Sequence, residues 1–310
     1  MRSHLSISIA TRALVCDRLC KAMLASVVMS SLIAAASCFA DGLVWPPITE
    51  PPTHQYVPGK WVWAELFSAD VKTAAHFYAE AFGWAFQSFE APHGGYTLAF
   101  SDGEPIGGMI QRDHTFDKTP GSRWLGMISV QDVKAAARYA ASHGGKVVVP
   151  PRLLTGRGEV AILADPEGAP FGVIHSSTGD PPDYLGEDKQ WVWIELWAKN
   201  PKAMADFYSG LAGYELEPPV ERPDGSLGYF LASGGYTRCS IIPSPALSAA
   251  PAWLPYLRVE DVKISTKQAE QAGARVVVPP NPAVRDGHVA LIVDPTGAAL
   301  GLAEVAPESQ

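Results

Sequence analysis

An eighteen-residue stretch that occurs twice constrains the fold of this 310-residue chain more than any other feature. Residues 61–78 read WVWAELFSADVKTAAHFY, and residues 191–208 read WVWIELWAKNPKAMADFY, at a constant offset of 130. Each copy begins with alternating aromatic and β-branched residues and continues with apolar residues three and four apart. This change of period predicts a strand followed by an amphipathic helix. Asp70 and Asn200-Pro201 are typical of helix starts, and Gly83 and Gly213 of helix ends.

The second half of each copy repeats at an offset of 129. KVVVPP at 146–151 returns as RVVVPP at 275–280, and DPEGA at 165–169 returns as DPTGA at 294–298. A repeat of this length indicates a duplicated domain. Each copy divides again into two units with the order strand, helix and three strands. We therefore predict an α+β fold of four βαβββ units, at residues 60–112, 122–175, 190–242 and 251–304. They pair into domains at 60–177 and 190–305, joined by a linker at 178–189.

The first sixty residues have a different composition. Basic residues precede an uncharged apolar run at 22–36, and small residues follow up to Ala40. This pattern predicts a signal peptide over residues 1–40 and an exported protein, periplasmic or secreted. The alternative is a lipid anchor at Cys38, in a weak version of a lipoprotein box. Because the apolar run is too short for a membrane span, no span is expected in the mature chain. Residues 41–59 are rich in proline and predict an extended linker.

The paired units and their motifs resemble the vicinal oxygen chelate superfamily, which includes glyoxalases, bleomycin-resistance proteins and extradiol dioxygenases. The motifs are D…FY…GW, at Asp70, Phe77-Tyr78 and Gly83-Trp84, and DPxGA in both domains. The resemblance covers residues 60–305. It implies that two units enclose a cup that binds a small molecule, so that this chain has two cups. It also implies that enzymes of this type hold a divalent metal by His, Gln or Glu on the first and last strands of each unit.

Counting along the strands indicates that the expected metal-ligand positions carry other residues. The first strands offer Trp63 and Trp193, with Leu125 or Gly126 and Leu254 or Pro255 in the other units. The last strands offer Gly107, Gly108 or Met109, Gly172, Cys239 or Ser240, and Gly301. None of these provides a chelating set, since a single thiol is no chelate, and no HxH or HExxH spacing is present. We therefore expect no metal cofactor. The alternative reading is a divalent metal held by Glu65 or Glu195 with His288.

Two glutamates share a strand face with the tryptophans, because residues two apart point to the same side. Glu65 and Glu195 are thus candidates for a ligand-orienting acceptor, a general base or a metal ligand, and a structural ion pair is the alternative. Trp61, Trp63 and Phe67 would line the same face, as would Trp191, Trp193 and Trp197. Such a cup would suit a flat or aromatic ligand, unless the tryptophans simply fill it. Tyr96 and Tyr229, in the parallel runs GYTLAF and GYFLAS, are expected to offer hydroxyls to the same space.

These observations predict a protein that binds a small organic molecule in one or both cups, with Trp63, Glu65, Tyr96, Trp193, Glu195 and Tyr229 as ligand-binding residues. One alternative is a metal-dependent lyase or dioxygenase of the glyoxalase or extradiol dioxygenase type. The other is a structural or partner-binding module with filled cups. A net charge of −8 and the lack of a long basic run argue against a nucleic-acid partner.

Overall fold

The computed structural model describes residues 42–90, 95–112, 121–183, 186–245 and 250–305. The predicted signal peptide at 1–40 and Cys38 lie outside these residues, so export and lipidation stay predictions. The mass of the mature N-terminus would distinguish cleavage after Ala40 from lipidation. No helix in the described part of the chain is long and apolar enough to cross a membrane.

The α+β architecture of four βαβββ units is confirmed. The first domain contains β1 (Trp61–Ser68), α1 (Val71–Phe82), β2 (Ala85–Phe89), β3 (Tyr96–Ser101), β4 (Glu104–Gln111), β5 (Arg123–Ser129), α2 (Val133–Ser142), β6 (Lys146–Leu154), β7 (Gly158–Ala164) and β8 (Pro170–Ser176). The second contains β9 (Trp191–Ala198), α3 (Pro201–Ala212), β10 (Glu215–Leu216), β11 (Val220–Glu221), β12 (Leu227–Ser233), β13 (Tyr236–Pro243), β14 (Ala252–Val259), α4 (Val262–Gln271), β15 (Arg275–Val278), β16 (Val289–Val293) and β17 (Ala299–Glu304).

Each domain is one curved sheet built from two units. The strand orders are β2-β3-β4-β1-β5-β8-β7-β6 and β10-β12-β13-β9-β14-β17-β16-β15, with β11 paired to β12. In both sheets the first strands of the two units pair antiparallel, β1 with β5 and β9 with β14, while the first and last strands within a unit run parallel. The face that carries Glu65 or Glu195 is the cup.

The helix boundaries follow the predicted capping residues. The side chains of Asp70 and Asn200 accept hydrogen bonds from the backbone N–H three residues on, which satisfies donors that the first helical turn leaves free. Gly83 and Gly213 end α1 and α3 with φ values of 70° and 72°, a left-handed conformation that glycine adopts without steric cost.

The helix-side faces of the two sheets share their cores. One cluster joins the second and third units and another joins the first and fourth units, and α1 packs on α4 while α2 packs on α3. Two buried hydrogen bonds lock this interface symmetrically: Tyr78 Oη donates to Asp294 Oδ2 at 3.0 Å, and Tyr208 Oη donates to Asp165 Oδ2 at 3.1 Å. The FY and DPxGA motifs therefore hold the two domains together.

The proline-rich segment at 42–59 differs from the expected linker. Trp45 and Ile48 are 2% and 4% exposed and belong to the core of the first cup. The backbone N–H of Trp45 donates to the carbonyl of Thr155, and the N–H of Thr53 donates to that of Thr178. The reason is that the prolines keep the chain extended while the apolar side chains between them bury surface in the cup.

Candidate functional site: two cups with one buried glutamate each

The first cup brings Trp63, Glu65 and Tyr96 together, as the sequence predicts for these three residues. Tyr96 Oη donates to Glu65 Oε1 at 3.2 Å and accepts from Trp63 Nε1 at 3.2 Å. The fourth member is Arg157, in the β6–β7 loop. It lies over the Trp63 ring at 4.7 Å, and its Nη1 donates to Glu65 Oε1 at 3.2 Å.

The first cup is filled. Fourteen buried residues form its cluster, including Trp45, whose ring centroid lies 4.7 Å from that of Tyr96. Arg157 is 2% exposed and each of its three nitrogens donates a hydrogen bond: Nε to the carbonyl oxygen of Pro46 at 2.5 Å, Nη1 to Glu65, and Nη2 to Tyr96 Oη at 3.1 Å. The N-terminal segment therefore fills the first cup.

The second cup is open. Its buried cluster has four residues, and beside it lies a solvent-open pocket with about 510 Å³ of empty space, open solvent included. Glu195, Tyr256 and Arg285 supply the polar groups of the cavity. The apolar wall comes mainly from Trp197, Ile242, Val278, Val284, Val289 and Leu291.

Glu195 accepts four hydrogen bonds at the floor of this cavity. Tyr256 Oη and Trp197 Nε1 donate to Oε1, both at 3.1 Å. Ser240 Oγ donates to Oε2 at 3.0 Å, and Arg285 Nη2 donates to the same oxygen at 2.5 Å. Burial opposes ionisation, but the charge of Arg285 and these hydrogen bonds together hold the pKa of Glu195 below its usual value of 4.5. The carboxylate is thus ionised and a weak proton acceptor.

Glu65 has the opposite pKa shift in the first cup. Burial raises the pKa of its carboxyl from 4.5 to about 7 and outweighs the charge of Arg157 and the hydrogen bond from Tyr96. The difference follows from the number of donors, since Glu65 Oε2 has no hydrogen-bond partner among the described residues whereas both oxygens of Glu195 are bonded. The two copies of this glutamate therefore have pKa values that are shifted in opposite directions.

This shift predicts the sign of a pH effect on stability. A folded-state pKa of about 7 exceeds the unfolded value near 4.5, so protonated Glu65 stabilises the fold below about pH 4.5 and this stabilisation is lost as the pH rises to about 7. In urea titrations, the stability of the wild type relative to Glu65→Gln should fall between pH 5 and pH 7 and stay constant above. Glu195→Gln is the matched control: its difference from the wild type should stay constant in that window. Parallel curves for both variants would contradict the assignment.

The two tyrosines of the parallel GY motifs lie on opposite faces. Leu98 is paired with Gly108, which is paired with Glu65, so Tyr96, two residues before Leu98, faces the cup. In the second domain it is Phe230 that pairs with Ser240 beside Glu195. Tyr229 therefore packs on the helix side of the sheet, and the expectation that it faces the second cup is wrong. A one-residue slip moves a strand residue to the other face.

The remaining predicted residues divide between the cups and the domain interface. Trp193 lies in the second cup and donates from Nε1 to Ser240 Oγ at 3.0 Å. Trp61 and Trp191 were expected on the cup face but pack between the domains, because the strand register shifts between residues 61 and 63 and again between 191 and 193. His288 is exposed, pairs with Glu304, and does not line the second cavity.

The residues of the cups do not fit a divalent metal. In the described part of the chain no three His, Cys, Asp or Glu side chains gather as a ligand set, and each cup glutamate lies against an arginine whose charge opposes a cation. The glycines at the expected ligand positions are covered by neighbouring side chains. A Cβ at Gly108 would lie 1.9 Å from Tyr96 Oη, and one at Gly301 would lie 2.2 Å from the Tyr256 ring.

Four residues of the cups were not predicted as site residues: Trp45, Arg157, Tyr256 and Arg285. The two arginines carried a signal, since they stand 128 residues apart, eight and nine residues before the DPxGA motifs. The one-residue change in spacing hid the correspondence. Arg285 and the following Asp286 have φ values of 46° and 55°, a left-handed conformation that is costly for residues other than glycine and that often occurs at functional sites.

Comparisons with known proteins agree with this fold. Residues 63–174 match the family model described as a glyoxalase-like domain. CFP32 of Mycobacterium tuberculosis, provisionally named a glyoxylase, is 25% identical over 83% of this chain and 99% of its own length. The anthracycline biosynthesis protein DnrV of Streptomyces peucetius is 28% identical over 81% of this chain and 95% of its own.

A solved structure that is similar in fold is the Mn(II)-bound glyoxalase from Novosphingobium aromaticivorans, with a TM-score of 0.54 and 17% identity over 81% of this chain and 84% of that one. The 2,3-dioxygenase LapB from Pseudomonas has a TM-score of 0.54 and 14% identity, over 80% and 92%. With the repeated units and the two sheets, these findings show that the chain has the vicinal oxygen chelate fold and that residues 63–174 match a glyoxalase-like domain.

Proposed function

We propose that this protein binds a small, largely apolar organic molecule in the second cup and does so without a catalytic metal. The observation that carries the proposal is the pocket beside Glu195 in the second cup, which is open to solvent. Its wall is apolar, and its few polar groups converge at the floor, the arrangement that orients a bound ligand.

The first cup contributes stability rather than binding in this proposal. Trp45 and Ile48 fill it, and each nitrogen of Arg157 donates a hydrogen bond within the chain itself. The filled-cup alternative thus describes the first domain, and small-molecule binding describes the second. Duplication of the domain, followed by filling of the first cup by residues 42–59, accounts for both descriptions.

Glu195 acts on the ligand through Arg285. Because its oxygens accept four hydrogen bonds and its pKa is lowered, it is poorly suited to remove a proton or to receive another donor. It holds the guanidinium in place at the cavity wall. Glu195 is therefore a positioning residue, and Arg285 is the group that touches the ligand.

A metal-dependent lyase or dioxygenase is the competing function, and the similarity to the Mn(II)-bound glyoxalase extends to the fold alone. Such an enzyme would need carboxylate or imidazole donors free to coordinate. The cup glutamates are instead paired with arginines. Because one relative is named an anthracycline biosynthesis protein, anthracycline-type compounds are the first class to screen.

Binding of the neutral fluorescent probe N-phenyl-1-naphthylamine tests this function. We expect one bound probe per chain, with affinity unchanged by a metal chelator. Leu291→Trp should weaken binding at least about tenfold, because an indole from this partly exposed wall position would occupy the cavity. Leu153→Trp, on the exposed surface of the first domain, is the matched control and should bind as the wild type does.

Three results would contradict this proposal. No saturable binding, or equal binding in the Leu291→Trp and Leu153→Trp proteins, would show that the second cup is not the site. Loss of binding on chelation, restored by one equivalent of Mn²⁺ or Zn²⁺, would favour the enzyme alternative.

A further inference from the structure

The first cup contains a built-in occupant whose contacts resemble those of a ligand. Trp45 places a flat ring against Tyr96, with centroids 4.7 Å apart and planes inclined by 57°. The next residue, Pro46, turns its carbonyl oxygen to Arg157 Nε at 2.5 Å. The ring of this occupant thus packs against an aromatic side chain of the cup. The adjacent neutral oxygen accepts a hydrogen bond from the buried guanidinium.

The second cup contains the same kinds of group as those that contact this occupant, with a tyrosine from β14 in place of the one from β3. Arg285 pairs with Glu195 as Arg157 pairs with Glu65, and in each cup a tyrosine hydroxyl donates to the glutamate, at 3.2 Å in the first cup and 3.1 Å in the second. Both tyrosine rings also lie beside their arginine, with the guanidinium carbon 5.3 Å from the Tyr96 centroid and 5.5 Å from that of Tyr256.

The difference between the cups is the number of arginine donors in use. Arg157 donates three hydrogen bonds, one of them to Pro46. Among the described residues, Arg285 donates one, from Nη2 to Glu195, and its side chain borders the cavity with 15% exposure. Its other N–H groups are not buried, so a ligand that covers them must offer an acceptor or leave them unpaired, which is costly.

The charge balance of the site restricts that acceptor to a neutral group. The carboxylate of Glu195 already neutralises Arg285 at 2.5 Å. An anionic ligand would bring a second negative charge beside Glu195 in a poorly hydrated place, which is unfavourable. A carbonyl oxygen accepts the hydrogen bond without that repulsion.

We infer that the ligand of the second cup is a flat ring system bearing a carbonyl oxygen, bound as Trp45-Pro46 is bound in the first cup. The ring lies against Tyr256, and the oxygen accepts from the guanidinium of Arg285. This inference rests on the proposed function and specifies its ligand class.

The test compares two molecules that differ by one carbonyl group. 1-Tetralone and tetralin have the same bicyclic skeleton, and each is used to displace N-phenyl-1-naphthylamine from the wild-type protein. Because the carbonyl is better hydrated, tetralone would bind less well than tetralin to a purely apolar cavity. We expect tetralone to bind roughly tenfold more tightly, as a hydrogen bond to a charged donor allows.

A variant of Arg285 tests whether this residue causes the preference for tetralone. Arg285→Lys keeps the positive charge beside Glu195 but removes the guanidinium fork, and it should bring the tetralone preference, measured by calorimetric titration of each compound, down toward one or reverse it. Arg238→Lys, which changes a guanidinium paired with Asp183 outside the cavity, should keep the wild-type preference.

The outcomes separate the inference from the proposed function. If the probe binds in the second cup but tetralin displaces it as well as tetralone or better, the inference is wrong and the proposed function stands. If the probe does not bind there, both fail. The wild-type comparison decides the matter even if Arg285→Lys does not fold.

Discussion

The free energy of unfolding of the Trp45→Ala protein should be about 3–5 kcal/mol lower than that of the wild type. Trp45 is 2% exposed and lies in the core of the first cup, so its removal leaves a cavity as well as losing buried apolar surface. The neighbouring Val44→Ala is the matched control. Val44 is 67% exposed, and its truncation should change the free energy of unfolding by less than about 0.5 kcal/mol.

Free indole should restore much of the stability that Trp45→Ala loses. A ligand that binds only the folded protein adds about 2.7 kcal/mol at one hundred times its dissociation constant. Urea denaturation of both proteins with and without indole measures this effect. Equal stabilisation of wild type and variant, or a loss no larger than that of Val44→Ala, would show that residues 42–59 do not fill the cup.

The second large effect concerns the buried ion pair of the second cup. Arg285→Met keeps most of the side-chain volume but leaves Glu195, which is 2% exposed, without its counter-charge. We expect a loss of about 3–5 kcal/mol at pH 8, the usual cost of removing one partner of a buried pair.

The pH dependence of this loss has a definite sign. In the wild type the pKa of Glu195 is below 4.5, so its ionised form stabilises the fold above about pH 4.5 and this contribution is lost as the pH falls through the folded-state pKa. Without Arg285, burial would raise that pKa above 4.5, and stability would then fall as the pH rises through the raised value. The variant should therefore be closer to the wild type at pH 5 than at pH 8.

The double variant Glu195→Gln/Arg285→Met separates charge from packing. Removal of the stranded carboxylate should recover part of the stability lost in Arg285→Met at pH 8, and its difference from the wild type should depend less on pH between 5 and 8. A deficit of Arg285→Met that is the same at both pH values would mean that Glu195 is not a desolvated carboxylate in this protein.

Filling of the first cup and opening of the second could not be predicted from the repeat. Both domains carry the W-x-E motif and an arginine before DPxGA, so by sequence the cups are equivalent. The difference arises because residues outside the repeat, at 42–59, fold back into the first cup. A proline-rich composition describes an extended chain, but it does not say whether that chain lies in solvent or against a sheet.

Strand phasing was predictable only where the register is regular. Alternation along β1 correctly placed Trp63 and Glu65 on one face. It failed at Trp61, where the register shifts, and at Tyr229, where the strands of the third unit pair one residue out of step with those of the first. Because the side-chain period in a strand is two, a single extra residue reverses the face.

The sequence by itself determined the repeated units, their helix boundaries and the presence of one glutamate on the cup face of each domain. These are local or periodic properties, set by capping residues and by alternation along single strands. Only the tertiary structure decided which cup is open, which loop residues reach the glutamates and which ionisation state each glutamate has. Those properties depend on residues far apart in the chain and on the exclusion of water around them, which no single segment contains.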